Sequence, residues 1–275
     1  MRVMIWADME GMAGIEVWEQ VSGGMPQYAE GRRLMTGEVN AAVRGAKAAG
    51  ATEIIVVDCH GAGGSYSFKT LIPDQLERGA TYVLGYPWLR YVEPMQAGEI
   101  DACLLVGSHA MAGTADGILC HTVSSEAWYN ARINETLVGE SGLEAAVFGA
   151  FDVPIVFVAG DRSTCKEVTD LLGPKLITAE TKVGLGRFSA RSLGHADACD
   201  LIETSVRESL ENRDWPAPWK PAQPLTFTVE LASPDHAQSY VGRPGLEVVN
   251  ARTVIARGAP DQNFWQVWDN FWYRH

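Results

Sequence analysis

Four short runs of almost wholly apolar residues set the frame of this chain: RVMIWA (2–7), EIIVV (53–57), ACLLVG (102–107) and PIVFVAG (154–160). Strands this apolar are buried on both faces, as in parallel sheets. Segments with helical periodicity lie between them, such as YAEGRRLMTGEVNAAVRGAKAAG (28–50), stopped by Gly50, and ESGLEAAVFGAF (140–151). TYVLG (81–85) is one more strand. This pattern predicts an α/β fold, a mostly parallel sheet covered by helices. WYNARINETLV (128–138) differs: it alternates about Asn134-Glu135, as a hairpin does. From about Thr164 the pattern weakens to a helix, polar strands between roughly Ile177 and Ser192, and a longer helix. DWPAPWKPAQP (214–224) has prolines at 216, 218, 221 and 224 and suits an extended linker or surface loop. LTFTVEL (225–231) then alternates as a strand. The end of the chain sets Phe264, Trp265, Trp268, Phe271 and Trp272 at helical spacing. The expected division is an α/β domain over 1–165 and a smaller C-terminal α+β lobe over 166–275.

With 275 residues, 47% hydrophobic and 20% charged, the chain can bury a sizeable core. Its 34 acidic against 22 basic residues give a net charge of −12, which repels nucleic acid and anionic membranes, so neither is an expected partner. No apolar run approaches the roughly 18 residues of a membrane span. Asp8 and Glu10 interrupt the first apolar run, so no secretory signal is read there. Five scattered cysteines without a CxxC suit reduced thiols of a cytoplasmic protein.

The polar residues cluster at strand ends. Asp8 and Glu10 follow the first strand, Asp58 and His60 the second, and Ser108-His109 close ACLLVG. Residues i and i+2 share a face if a strand continues through them. His121 follows in GILCHTV, and Glu140 opens a helix after Gly139. Open α/β sheets bind ligands beyond the carboxyl ends of their strands. Singly, each residue has a plain structural role: an Asp after a strand is commonly a turn residue or N-cap, and a buried His a satisfied core residue. Jointly, carboxylates and imidazoles without cysteine suit zinc, with manganese or cobalt in competition. Asp8 could be shared by two nearby ions, as in hydrolytic two-metal centres. Asp58 is expected to orient His60 or its neighbour from behind. MEGMAG lacks the GxGxxG and GK[ST] of phosphate loops, and Ser124, Ser125 and His121 lack a GxSxG elbow.

DMEGMAG, VVDCHG, GSHAMAG, GILCHTVS, LVGESGLEAA and VPIVFVAGD, in this order, resemble the M55 family of metallopeptidases, the D-aminopeptidases of the DppA type. The likeness is strong over roughly residues 1–165 and thinner afterwards. It implies a dinuclear zinc centre, a cytoplasmic location and a ring-built homo-oligomer, a decamer in the type member, with active sites inside a chamber. It implies that Asp8, Glu10, His60, His109 and Glu140 are metal ligands, Asp8 the bridge, and that His121 is the catalytic nucleophile. On chemical grounds alone His121 could equally be a general base or proton shuttle.

The expected function is metal-dependent hydrolysis of a small amide or peptide. Cys59 in place of an expected serine, Cys120 beside His121 and the tryptophan-rich end depart from the family pattern and bear on substrate choice. One alternative keeps the metal centre and takes a non-peptide amide or lactam. Another is a metal-binding oligomeric protein without turnover. For the aromatic segment, packing in the core or between subunits is weighed against a place beside the active site.

Overall fold

The computed structural model describes residues 1–85 and 91–272. The strands are β1 (Arg2–Ala7), β2 (Glu53–Asp58), β3 (Thr81–Val83), β4 (Ala102–Ser108), β5 (Trp128–Ile133), β6 (Thr136–Val138), β7 (Ile155–Asp161), β8 (Ile177–Gly186), β9 (Ser189–Ser192), β10 (Thr226–Leu231), β11 (Leu246–Asn250) and β12 (Thr253–Arg257). The helices are α1 (Trp18–Val21), α2 (Tyr28–Ala48), α3 (Glu93–Gln96), α4 (Glu140–Gly149), α5 (Arg162–Leu172), α6 (His195–Asn212), α7 (Pro234–Gln238) and α8 (Phe264–Asp269).

The expected α/β architecture is present. One sheet runs β3-β2-β1-β4-β7-β8-β9, parallel except for β9, and a second, antiparallel sheet runs β11-β12-β10-β5-β6. Side chains of β1 alternate between two cores, as a doubly covered strand must. Val3 and Ile5 join Val39 and Val43 of α2 and Ile202 and Val206 of α6. Met4 and Trp6 join Leu143 and Val147 of α4 and Phe227 and Val254 of the second sheet. The layers are therefore α2 with α6, the large sheet, then α4 with the small sheet. Gly45 permits the close approach of α2 to α6, since a Cβ there would stand 2.5 Å from the Glu203 carbonyl oxygen.

The two sheets do not divide the chain at residue 165. That position lies inside α5, β8 and β9 extend the first sheet, and the β5–β6 hairpin belongs to the second. The weak apolar pattern after Thr164 has a physical cause: β8 and β9 close the edge of the sheet, and the hairpin between them leaves Leu185 and Phe188 exposed. The hairpin at 128–138 forms as expected, with Asn134 at φ 53°, a conformation asparagine tolerates. The proline-rich stretch 214–224 carries no helix or strand. α8 ends at Asp269, short of the aromatic pattern, and its Phe264 packs with Phe271 against Phe227.

Chain order leaves β1 in both directions, to β2 and β3 on one side and to β4, β7 and β8 on the other. The crevice at this topological switch point, beyond the carboxyl ends of β2, β1 and β4, is where such sheets bind ligands.

Candidate metal centre

Three neighbouring strand ends deliver the residues the sequence singled out. β1 ends at Ala7, so Asp8 and Glu10 lie in a turn rather than on a continuing strand. The turn is pinned to β4 by Asp8 N–H donating to the Val106 oxygen at 2.9 Å and Gly11 N–H to the Gly107 oxygen at 2.8 Å. Two glycines make this crossing fit. A Cβ at Gly11 would stand 2.0 Å from the Ser108 oxygen, and one at Gly107, whose φ is +83°, 2.2 Å from the Asp8 oxygen. His60 and His109 follow β2 and β4, and Glu140 opens α4. His121 comes from the loop between β4 and β5, where Leu119 and Val123 both adopt positive φ. For a β-branched valine that is strained backbone of the kind found at functional sites.

Each imidazole has its far nitrogen tied to a main-chain carbonyl. His60 Nε2 donates to Val21 O at 2.7 Å, His109 Nδ1 to Ala110 O at 3.0 Å and His121 Nδ1 to Leu119 O at 2.9 Å. A carbonyl only accepts, so the far nitrogen carries the proton and the near nitrogen of a neutral ring is a bare lone pair. The near nitrogens face carboxylates. His60 Nδ1 stands 3.1 Å from Asp8 Oδ1 and 3.2 Å from Glu10 Oε2. His109 Nε2 stands 3.4 Å from Asp8 Oδ2 and 3.1 Å from Glu140 Oε1. His121 Nε2 is 3.6 Å from Glu140 Oε1, and its ring stacks on His109 at 4.0 Å with the edge of Trp18 at 5.7 Å.

This arrangement fits cations. Asp8, Glu10 and His109 offer ligand atoms within 4.8 Å of one another, and so do His109, His121 and Glu140. Buried Glu10 Oε2 and His109 Nε2 make no hydrogen bond among the described residues. Acceptors buried without donors are costly unless positive charge stands among them. The protonation balance places positive charge on two of the imidazoles among these carboxylates. Burial and Glu10 push the Asp8 carboxyl up to about 7. Against burial, Glu10 holds His60, and Glu140 holds His109, well above the usual histidine range. Against burial, His60 in turn keeps Glu10 well below the usual carboxylate range, and His109 brings Glu140 down to about 2. Burial and His109 lower His121.

All six residues singled out converge: Asp8, Glu10, His60, His109, His121 and Glu140. Asp58 acts on the His60 main chain rather than on its ring. Its fully buried carboxylate accepts the backbone N–H of Thr70 at 2.6 Å, of Leu71 at 3.0 Å and of His60 at 3.3 Å. It fixes the loop, while the Val21 carbonyl fixes the His60 ring.

Lys182 on β8 escaped the sequence reading, because a lone lysine in a polar strand looks like a surface residue. It is 1% exposed, and its ammonium donates to the carbonyls of Glu10 at 2.6 Å, Met12 at 2.8 Å and Ile15. It thus ties down the loop that presents Asp8 and Glu10, although burial lowers its pKa to about 8. Lys182→Met orphans these buried acceptors, at about 1–3 kcal/mol each. Denaturant unfolding is expected to show a loss of at least about 3 kcal/mol, with a fall in metal content. Unchanged stability and metal content would show that the loop holds itself.

The centre opens into a cavity of about 270 Å³ whose walls include Cys59, Tyr91, Glu144, Trp268 and Trp272. The aromatic segment therefore does both things weighed for it, with Phe264 and Phe271 in the core and Trp268 and Trp272 at the cavity. Cys120 is not among the cavity walls; its Sγ donates to the Thr114 carbonyl oxygen at 3.2 Å. A larger groove of about 510 Å³ along α5 contains neither ligand triad.

The M55 peptidase family model, that of D-aminopeptidases, matches residues 1–269. The chain belongs to this family. It is a hydrolase of the aminopeptidase type. It is 30% identical to the D-aminopeptidase of Bacillus subtilis (strain 168) over 269 residues, 95% of this chain and 92% of that protein. A solved structure, the Zn-dependent D-aminopeptidase DppA from Bacillus subtilis, a self-compartmentalizing protease, superposes with a TM-score of 0.87 at 28% identity. The superposition covers 99% of this chain and 96% of that one. The family resemblance thus extends well past residue 165.

Proposed function

We propose that this M55 chain is a zinc-dependent aminopeptidase acting on D-aminoacyl amides through a two-cation centre. The observation that carries the reading is the pair of carboxylate–imidazole groups joined by Asp8. Its Oδ1 faces His60 and its Oδ2 faces His109, so one carboxylate spans two positions. Asp8, Glu10 and His60 would hold one cation, and Asp8, His109 and Glu140 the other. Bound there, a pair of divalent cations supplies Lewis-acid polarisation of the scissile carbonyl and acidifies the attacking water. Zinc suits this donor set, and manganese or cobalt can compete for it.

The chain's own groups do the rest. The Val21 and Ala110 carbonyls hold the His60 and His109 rings in the tautomer that turns a lone pair inward. Glu140 also accepts the Val123 N–H at 2.7 Å, which ties the His121 loop to the start of α4. His121 Nε2 faces the centre unprotonated, with Nδ1 anchored on Leu119, and handles the reacting proton or attacks the carbonyl carbon. The aromatic walls exclude water and receive the substrate's apolar part.

A homo-oligomer fits this reading. The structural relative is described as self-compartmentalizing, and the β8–β9 hairpin of this chain exposes Leu185 and Phe188. A decamer would follow the family resemblance. Five free thiols suit a reducing, cytoplasmic setting. None of the described helices is long and apolar enough to cross a membrane.

Hydrolysis of a panel of D-aminoacyl, L-aminoacyl, β-aminoacyl and cyclic amides by zinc-loaded protein tests the activity. The D-aminoacyl amides are expected to be cut fastest, and chelation to abolish cleavage. Preference for a cyclic amide would move the same centre to lactam chemistry, and no turnover on any member would reject the hydrolase assignment for these amides.

A further inference from the structure

Helix α4 turns one face to the cavity: Glu140, Leu143, Glu144 and Val147, at spacing i, i+3, i+4 and i+7. Glu140 belongs to the metal cluster. Glu144, one turn further on, belongs to neither ligand triad. Its carboxyl makes no hydrogen bond or ion pair among the described residues. The wall around it is aromatic, with Trp6, Tyr91, Trp268 and Trp272 lining the same cavity. Trp6 and Tyr91 have ring centroids 5.4 Å apart, and Trp268 and Trp272 5.2 Å.

A carboxyl without a donor in such surroundings costs stability. The fold gains nothing visible from Glu144: it caps no helix and ties down no loop. An occupant of the cavity that carries N–H or O–H groups supplies what the carboxyl lacks. An uncharged apolar group leaves it without a donor. An anionic group meets Glu144 together with Asp8 and Glu140. A protonated amine answers both features, because its N–H groups donate to the carboxylate while its charge faces the electron-rich rings.

We propose that Glu144, with the rings of Trp6, Tyr91 and Trp268, forms a subsite for a protonated amine of the substrate. This deepens the aminopeptidase reading and rests on it for the identity of the occupant as substrate. Two amines share the chemistry: the α-amine of the terminal residue and an ammonium on that residue's side chain.

Binding of n-pentylammonium and of n-pentanol to the zinc-loaded protein, followed by tryptophan fluorescence, tests the subsite without requiring turnover. Glu144→Gln is expected to weaken the ammonium at least tenfold, to leave pentanol unchanged and to keep the metal content. Trp268→Leu retains the carboxyl and is expected to weaken the ammonium several-fold, so the proposal does not hang on the folding of one variant. Equal ammonium affinity in wild type and Glu144→Gln overturns it, as does loss of metal from that variant, which would make Glu144 a ligand. Kinetics on the p-nitroanilides of D-alanine, D-norleucine and D-lysine then identify the amine. A raised KM for all three in Glu144→Gln assigns the α-amine, and a raised KM confined to D-lysine assigns the side chain. An unchanged KM for all three overturns a role in substrate binding, whatever the rate of hydrolysis.

Discussion

Asp8→Asn is expected to lose metal and hydrolytic activity together, with kcat/KM falling at least ~10³-fold, or roughly 4 kcal/mol of transition-state stabilisation. The size follows from the double duty of this carboxylate. Oδ1 is the neighbour of His60 Nδ1 and Oδ2 that of His109 Nε2. An amide keeps the shape but turns one of these atoms into an N–H₂ donor, which faces a lone pair where a cation should stand. One position loses its ligand atom, and the other keeps only a neutral, weaker one. Removing His109 strips one position directly, so His109→Ala should also lose metal. Elemental analysis beside the rate assay checks both variants. An Asp8→Asn protein with a full metal complement would remove Asp8 from the centre.

His121→Ala is expected to keep its metal and lose ~10²–10⁴-fold in kcat, the usual worth of a positioned proton-transfer group. The geometry leaves a real competitor. His121 stands in a triad with His109 and Glu140, so it has the reach of a third ligand. Yet its nearest carboxylate contact, 3.6 Å to Glu140, is longer than those of His60 and His109. The strained backbone at Leu119 and Val123 holds it over the centre from a separate loop. Metal content separates the two roles: retained metal with lost turnover gives His121 the chemical step, and lost metal makes it a ligand.

Much of this site was legible in the sequence because its residues sit where apolar strands stop. The runs before Asp8, His60 and His109 predict a parallel sheet, and parallel sheets gather ligands at those ends. Asp8 and Glu10 do not sit on a continuing strand, as their i, i+2 spacing would allow. They converge through a turn pinned at Gly11 and Gly107, not through a strand that runs on. What stayed hidden depends on main-chain geometry and on contacts distant in sequence. The carbonyls of Val21, Ala110 and Leu119 that set the tautomers have no residue signature. Lys182 lies more than 160 residues from the loop it holds, and nothing in ETKVG marks it as buried. Glu144 reads as an ordinary solvent-facing acid on a helix, and only the sheet and the C-terminal tryptophans enclose it. The division placed at residue 165 did not anticipate that edge strands after it rejoin the first sheet.

The proposed centre has places for two cations, joined by Asp8. Elemental analysis of protein purified without chelator, then after reconstitution with zinc, cobalt or manganese, tests it most directly. About two divalent ions per chain are expected, because Asp8 joins two carboxylate–imidazole groups and a single tetrahedral ion has room for only four ligands. A stoichiometry well below one per chain, not restored by any of the three metals, would contradict it.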